Sequence, residues 1–201
     1  MPPVNPPPAA PPPIDPDPVA KDLVEPGEKT LDIVHRHPIG LIIIYIEALI
    51  GVIALAALLI FVAPDATKNL SAESNRLLIA GVVFAVAILI LFLFVATYVY
   101  RQSRLVINDK SLVQVLQKSL FFRDVSRLSF SNVEDVTAQQ RGILSTIFNF
   151  GTLEVQTAGE MDNFLFPTCP NPNKYAHEIL EARQAYAKTL EEGNERLVAH
   201  P

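Results

Sequence analysis

The stretch PIGLIIIYIEALIGVIALAALLIFVA, Pro38 to Ala63, is followed after a short polar segment by LLIAGVVFAVAILILFLFVATYVY, Leu77 to Tyr100. Each run is longer than the roughly 20 residues that a helix needs to cross a bilayer core of about 30 Å. Glu47 is the only charged residue inside either run. The sequence therefore predicts a two-helix membrane hairpin over residues 31–100, with transmembrane helices at 38–63 and 77–100 and an outside loop at 64–76.

Positively charged residues flank the outer ends of the hairpin, with Arg36 before it and Arg101 and Arg104 after it. Because such residues stay on the cytoplasmic side, the pattern predicts a multi-pass plasma-membrane protein with both termini in the cytoplasm. The chain of 201 residues has a formal net charge of −5 and one cysteine, Cys169. The acidity argues against nucleic acid as a partner, and one cysteine excludes an intrachain disulfide and a cysteine-based zinc site.

Proline dominates the first part of the chain, because residues 1–26 hold 11 of the 17 prolines. Proline fixes φ and lacks the backbone N–H, so this stretch cannot build a core. We therefore expect a disordered, proline-rich cytoplasmic tail over residues 1–30, and a second short disordered tail over residues 194–201. The proline-rich tail is either a solvated tether or a docking ligand for an aromatic groove.

Small residues in the two apolar runs mark faces on which helices can approach each other. Gly51 lies on the first run, and Gly81 and Ala85 lie four residues apart on the second. Small residues let helix backbones come close in lipid. We expect these intramembrane packing faces to contact each other or a second copy of the chain.

Glu47 lies about 13 Å along the first helix from Pro38, at 1.5 Å per residue. A carboxylate at that depth is a functional hypothesis by default. One interpretation is a proton or ion relay. The other is a protonated side chain that is hydrogen-bonded at a helix contact, with Thr97 or Tyr98 in reach on the second helix.

Strand-like segments replace the continuous apolar runs after Arg101. The predicted strands are 104–108, 112–118, 123–130, 133–138, 151–157 and 163–166. Within GTLEVQT at 151–157, apolar and polar residues alternate, so that Leu153, Val155 and Thr157 face the same side. These segments indicate an antiparallel sheet.

A helix follows the last predicted strand. Asn171 is a candidate N-cap and Pro172 occupies the first helical position, where its missing N–H costs nothing. Gly193 is the predicted end of this helix. The fold class is therefore a membrane α-helical hairpin plus an α+β domain over residues 101–193, in which a C-terminal helix closes the sheet.

These residues carry a resemblance to a known family. The order of VEDVT at 133–137, GIL at 142–144, NFGT at 149–152, TAG at 157–159 and PNP at 170–172 resembles the bacterial pleckstrin-homology-like (PH-like) domain of YdbS-type membrane proteins. The resemblance covers about residues 27–190. It implies a seven-stranded antiparallel β barrel capped by a C-terminal helix, and it implies no reaction and no cofactor.

Two further binding sites are not expected. A phosphoinositide pocket needs several converging basic residues, and the loop Asn108 to Ser111 offers only Lys110. His35 and His37 lack enough further ligands for a metal site. The segment His35-Arg36-His37 is better interpreted as a basic cluster beside the membrane.

The segment RGILSTIFNF, 141–150, has apolar residues at helical spacing. They either form a short helix packed into the sheet or an exposed patch that touches lipid or another subunit. A membrane-surface contact is hypothesised for nine residues, namely Arg36, Arg101, Arg104, Arg123, Arg127, Ile143, Leu144, Ile147 and Phe148.

The leading functional hypothesis is a non-catalytic membrane protein whose domain serves protein–protein assembly at the inner membrane surface, through self-association or another membrane protein. The first alternative is a sensor of anionic lipid surfaces. The second is a small accessory subunit of a transport system that uses Glu47. We expect membrane lipid as a partner, and we expect no enzyme activity and no cofactor.

Overall fold

The computed structural model describes residues 24–25, 27–67, 71–158 and 163–199, and in 62–67 and 197–199 it describes the backbone alone. The first 23 residues of the predicted proline-rich tail lie outside the described residues. Two long apolar helices, α1 (Ile39–Thr67) and α2 (Ala72–Gln102), form the predicted hairpin. The predicted 13-residue loop is wrong, because α1 continues to Thr67 and α2 begins at Ala72. Ser71 starts α2 as its N-cap, and its hydroxyl accepts a hydrogen bond from the backbone N–H of Ser74 at 3.2 Å.

Seven β-strands are found in the described part of the chain. The first is β1 (Thr30–His35), and six follow the hairpin: β2 (Arg104–Asn108), β3 (Ser111–Gln117), β4 (Arg123–Ser129), β5 (Val133–Gln139), β6 (Phe150–Thr157) and β7 (Phe164–Pro170). They pair as two antiparallel sheets, β1-β2-β3-β4 and β5-β6-β7. The strand number implied by the resemblance is confirmed, although hydrogen bonds do not close the described strands into a barrel.

Strand β1 was not identified by the sequence analysis, which assigned its residues to the tail and the hairpin. It pairs with β2, from Thr30 opposite Asn108 to His35 opposite Arg104. The predicted hairpin boundary at residue 31 is therefore too early. The hairpin is an insertion between the first two strands of the sheet domain, and the domain holds both of its ends.

The core lies between the sheets and the C-terminal helix α4 (Pro172–Ala199). The predicted alternation of β6 is confirmed, since Leu153, Val155 and Thr157 are buried. Helix α4 covers the other side of this core with Ala176, Ile179 and Ala182, which are also buried. The predicted helix end at Gly193 is wrong, because α4 continues to Ala199 through residues that the sequence analysis assigned to a disordered tail.

The strand directions give the domain two distinct ends. Strand β1 runs into α1 and β2 starts after α2, so His35 and Arg104 lie where the hairpin leaves the sheet. We call this the hairpin-proximal end, and the antiparallel pairing brings the β3–β4 loop (118–122) to it as well. The opposite, hairpin-distal end carries the β2–β3 turn at Asn108 to Ser111.

Candidate membrane-facing surface

The second sheet also reaches the base of the hairpin. The backbone N–H of His37 donates to the carbonyl oxygen of Thr168 at 2.6 Å, and the His37 ring stacks on Phe150 with centroids 5.6 Å apart. The hydroxyl of Tyr100 donates to the carbonyl oxygen of His37 at 2.6 Å and lies 3.0 Å from Oγ1 of Thr168. Gly40 makes room for this hydroxyl, because a Cβ at that position would overlap with it. Hydrogen bonds and ring stacking therefore fix the hairpin to both sheets.

The β3–β4 loop presents three consecutive apolar side chains at the hairpin-proximal end. Leu120, Phe121 and Phe122 are exposed, and Phe121 has 90% of its surface accessible. Leu120 and Phe121 line a crevice together with Phe92 and Val99 of helix α2. The sequence analysis missed this loop, although three apolar residues at a turn, where polar residues prevail, are a signal it could have used.

The second apolar segment at this end is the short helix α3 (Ile143–Ile147). Its apolar side chains point outward: Ile143 is 79% exposed and Ile147 is 68% exposed, and Leu144 and Phe148 are exposed as well. Within this helix only Ser145 is buried, and its hydroxyl donates to the carbonyl oxygen of Arg141 at 2.7 Å. The interpretation that these residues pack into the sheet is wrong, and the exposed patch is what the structure contains.

Together these two segments form what we call the apolar rim. It consists of Leu120, Phe121, Phe122, Ile143, Leu144, Ile147 and Phe148. Each segment exposes at least three large apolar side chains that are near one another in the chain, and such a patch on a folded domain marks a site of contact with lipid or protein. Here it lies at the end of the domain from which two apolar helices depart.

Of the five arginines proposed for the membrane surface, Arg104 is buried and Arg36 is half-buried, and the membrane contact of Arg36 stays a prediction. Arg104 is buried in β2 with 6% of its surface exposed, so it is wrong as a surface contact. Arg36 lies with its guanidinium carbon 5.5 Å from the centre of the Tyr100 ring. Burial lowers the pKa of Arg36 below its ordinary value, and the interaction with Tyr100 offsets part of this effect.

The prediction that Arg127 contacts the membrane is wrong for another reason. Its two terminal nitrogens bind the carboxylates of Glu25 at 2.8 Å and Glu28 at 2.6 Å, and its Nε donates to the Ser111 hydroxyl at 3.3 Å. The Glu28 side chain is 2% exposed, so Arg127 compensates a buried charge. This carboxylate clamp lies at the hairpin-distal end. The remaining arginines, Arg101 and Arg123, are exposed at the hairpin-proximal end, and their contact with membrane stays a prediction.

The residues predicted to pack inside the membrane have different surroundings in the structure. Glu47 is exposed on α1, and the polar contact across the hairpin joins the Tyr45 and Thr97 hydroxyls at 2.6 Å. Among the described residues Glu47 forms no hydrogen bond with Thr97 or Tyr98, so that interpretation is not confirmed, and the relay interpretation stays a prediction. Gly51 and Ala85 line an apolar groove of about 470 Å³ between α1 and α2. Gly81 is exposed, with no atom within 4 Å of an added Cβ.

Metal-ligating residues and the cysteine thiol form no site in the described ranges. No three residues of the types His, Cys, Asp and Glu cluster there in a way that could hold a metal ion. Cys169 is fully buried, and burial raises the pKa of its thiol to about 12. The thiol is therefore protonated at neutral pH and lies in the core.

The fold and the rim define a class, namely a domain of two antiparallel sheets and a C-terminal helix attached to a hairpin that could span a membrane. The model of the bacterial PH domain family matches residues 39–185. The chain belongs to the bacterial PH domain family, and strand β1 lies upstream of the matched range. Searches of curated proteins and of solved structures find no match. The likeness to the YdbS-type subfamily stays a prediction.

Proposed function

We propose that this chain is an integral membrane protein whose bacterial PH domain lies on the cytoplasmic face of the bilayer and serves as a non-catalytic platform for protein assembly. Both apolar helices cross the membrane in this proposal, and both termini are cytoplasmic. The apolar rim dips into the lipid beside the hairpin. The domain is therefore held in one orientation rather than hanging on a flexible tether.

The exposed rim at the hairpin-proximal end is the observation that carries this proposal. Phe92, which shares a crevice with Phe121, precedes the end of α2 by ten residues, which corresponds to about 15 Å along the helix axis. The crevice extends from Phe92 to Val99, one residue before the end of the apolar run, and includes Lys118, so the loop lies beside the last turns of α2, where the apolar run meets the domain. Water would otherwise surround seven large apolar side chains.

The assembly role rests on the surface that the rim leaves uncovered. Strand β4 is an edge of the four-stranded sheet, and Arg123, Asp124 and Ser126 on it are exposed. An edge strand offers free backbone groups to a further strand. A domain fixed on the membrane would present this edge in a defined direction.

The experiment measures the depth of the rim in the full chain reconstituted in lipid nanodiscs. Cysteines are introduced by Phe121→Cys and Ile147→Cys and labelled with an environment-sensitive fluorophore, and Ser131→Cys at the hairpin-distal end is the matched control. Spin-labelled lipids should quench the first two labels strongly and the control weakly. Equal quenching at all three positions would overturn the proposal.

A photo-crosslinking amino acid at Ser126 tests the assembly role in membranes. A discrete crosslinked product, with no such product from position 131, is expected. A chain that gives no product at Ser126 and is strictly monomeric by native mass spectrometry would contradict this part of the proposal.

A second candidate function, sensing of anionic lipid surfaces, is favoured by Arg101 and Arg123 at the same end. Electrostatic contact weakens as the Debye length falls from about 10 Å at 0.1 M salt to about 3 Å at 1 M. Quenching at Phe121→Cys that requires anionic lipid and disappears in 1 M salt would support sensing. Quenching that is independent of both would support permanent apolar docking.

A further inference from the structure

We propose that a crevice between helix α3 and strands β6 and β7 binds the phosphate headgroup of an anionic phospholipid. This inference rests on the proposed function, because it needs the hairpin-proximal end to lie on the bilayer. We call the site the Arg141 crevice. It has a volume of about 230 Å³, and its lining comprises Gln139, Arg141, Ser145, Phe150, Gly151, Thr152, Pro167 and Thr168.

The lining is chemically suited to a phosphate group. Arg141 is exposed at the mouth, and no described residue forms a hydrogen bond or ion pair with its guanidinium. Hydroxyl groups of Ser145, Thr152 and Thr168 lie around the same crevice. A guanidinium presents two parallel N–H groups that match two phosphate oxygens. The Ser145 and Thr168 hydroxyls already donate to the carbonyl oxygens of Arg141 and Pro167, at 2.7 Å each, so Thr152 is the lining hydroxyl that can donate to a further phosphate oxygen.

The backbone around the crevice adopts conformations that unstrained chains avoid. Thr168 has a φ of 53°, which is a genuine outlier for a β-branched residue, and Asn149 has a φ of 50°. Gly142, next to Arg141, has a φ of 96°, which glycine adopts without steric cost. Such positions cluster at binding sites, where the surrounding structure holds them in place.

Gly151 keeps the crevice narrow and its floor accessible. A Cβ at this position would overlap with the carbonyl oxygen of Gln139 on the neighbouring strand. Strands β5 and β6 therefore approach closely beside the crevice, and Arg141 follows two residues after Gln139.

The surroundings favour a lipid over a soluble phosphate ester. Ile143, Leu144 and Ile147 follow Arg141 directly and are exposed. A phospholipid whose phosphate group lies in the crevice would place its acyl chains along these side chains. A soluble anion would use the arginine alone and would leave the apolar surface of α3 in water.

The test uses the purified full chain in a neutral detergent and native mass spectrometry to count bound phosphatidylglycerol and phosphatidylcholine. Arg141→Gln should lower the retained phosphatidylglycerol about tenfold, because the charge-assisted hydrogen bonds between the guanidinium and the phosphate are lost. Lys188→Gln removes the same charge from an exposed position on α4, outside the surface proposed to face the membrane, and should change retention less than twofold. Unchanged thermal unfolding would show that both variants fold.

Three results would overturn the site. The first is that Arg141→Gln retains as much phosphatidylglycerol as the wild type. The second is that Lys188→Gln loses as much lipid as Arg141→Gln. The third is that millimolar inorganic phosphate displaces the lipid and binds equally well. The outcome is separable from that of the proposed function. If the label at position 121 lies in lipid while Arg141→Gln has no effect, the crevice does not bind lipid. The proposal that the domain docks on the membrane would then be retained.

Discussion

The two ends of the same sheets differ in their chemistry. At the hairpin-distal end, polar groups are satisfied internally: Arg127 binds Glu25 and Glu28, and Thr30 donates to the side chain of Asn108 at 3.2 Å. At the hairpin-proximal end, large apolar side chains are exposed and the backbone holds positive φ values. Because the strands are continuous between the ends, the difference lies in the connections. The distal connections are polar and suit contact with water. The proximal connections expose apolar side chains and suit contact with lipid or protein.

The largest effect is expected from a side chain added at the proximal end. Gly151→Val would drive a Cβ into the carbonyl oxygen of Gln139, and we expect a loss of about 3 kcal/mol in the free energy of unfolding. Urea unfolding of the full chain in detergent measures this. Gly193→Ala, where an added Cβ meets no atom within 4 Å, should instead stabilise α4 by up to about 1 kcal/mol. Similar losses for both variants would contradict the close approach of β5 and β6.

The second prediction compares one ion pair at each end. Arg127→Met leaves the buried carboxylate of Glu28 without its cation and should cost about 2 kcal/mol. Lys118→Met breaks the pair between Lys118 and Asp124 at the proximal end, whose partners are 65% and 52% exposed, and should cost less than about 0.5 kcal/mol. Chemical unfolding under identical conditions compares them, and equal costs would remove the distinction between the ends.

The third prediction concerns the junction between the hairpin and the sheets. Tyr100→Phe removes the hydroxyl that donates to His37 and should cost about 1 kcal/mol. Tyr98→Phe is the matched control, because Tyr98 is exposed on the same helix. Thermal unfolding in detergent checks both changes. A Tyr98→Phe variant that is as unstable as Tyr100→Phe would mean that this hydrogen bond does not hold the junction.

The smallest expected effect is at Cys169. Burial raises the pKa of this thiol to about 12, so the reactive thiolate is scarce below that pH and increases only as the pH rises toward it. Maleimide at pH 8 should leave the wild type unlabelled while Ser131→Cys, at the exposed hairpin-distal end, reacts completely. Rapid labelling of the wild type would show that the core opens at this position.

Much of the fold follows from local patterns in the sequence. The apolar runs predict both helices, the alternation in β6 predicts its buried face, and Pro172 marks the start of α4. Strand β1 was missed because apolar and polar residues do not alternate in TLDIVH, where Ile33 and Val34 are neighbours. Its partner β2 also lies beyond the whole hairpin. The loop Asn108 to Ser111 is the β2–β3 turn at the hairpin-distal end, and the expectation that it forms no phosphoinositide pocket stays a prediction.

The candidate site was predicted only in part. The segment 143–148 was identified from its residue types, but helical spacing is the same whether a face is buried or exposed. Arg104 and Arg127 resembled surface cations because residue identity does not report burial or ion pairing. Leu120 to Phe122 were missed because their significance comes from helix α2, which precedes them in the chain and lies beside them in space.

The sequence by itself determined the two apolar helices, the order of most strands and the family, because these depend on local composition and periodicity. Long-range pairing decided which residues share the hairpin-proximal end of the domain. Pairing between β1 and β2 places the hairpin at one end of the domain, and that placement brings the Phe121 loop, helix α3 and Arg141 to the same end. Long-range strand pairing is a property of the whole chain, and no single segment contains it.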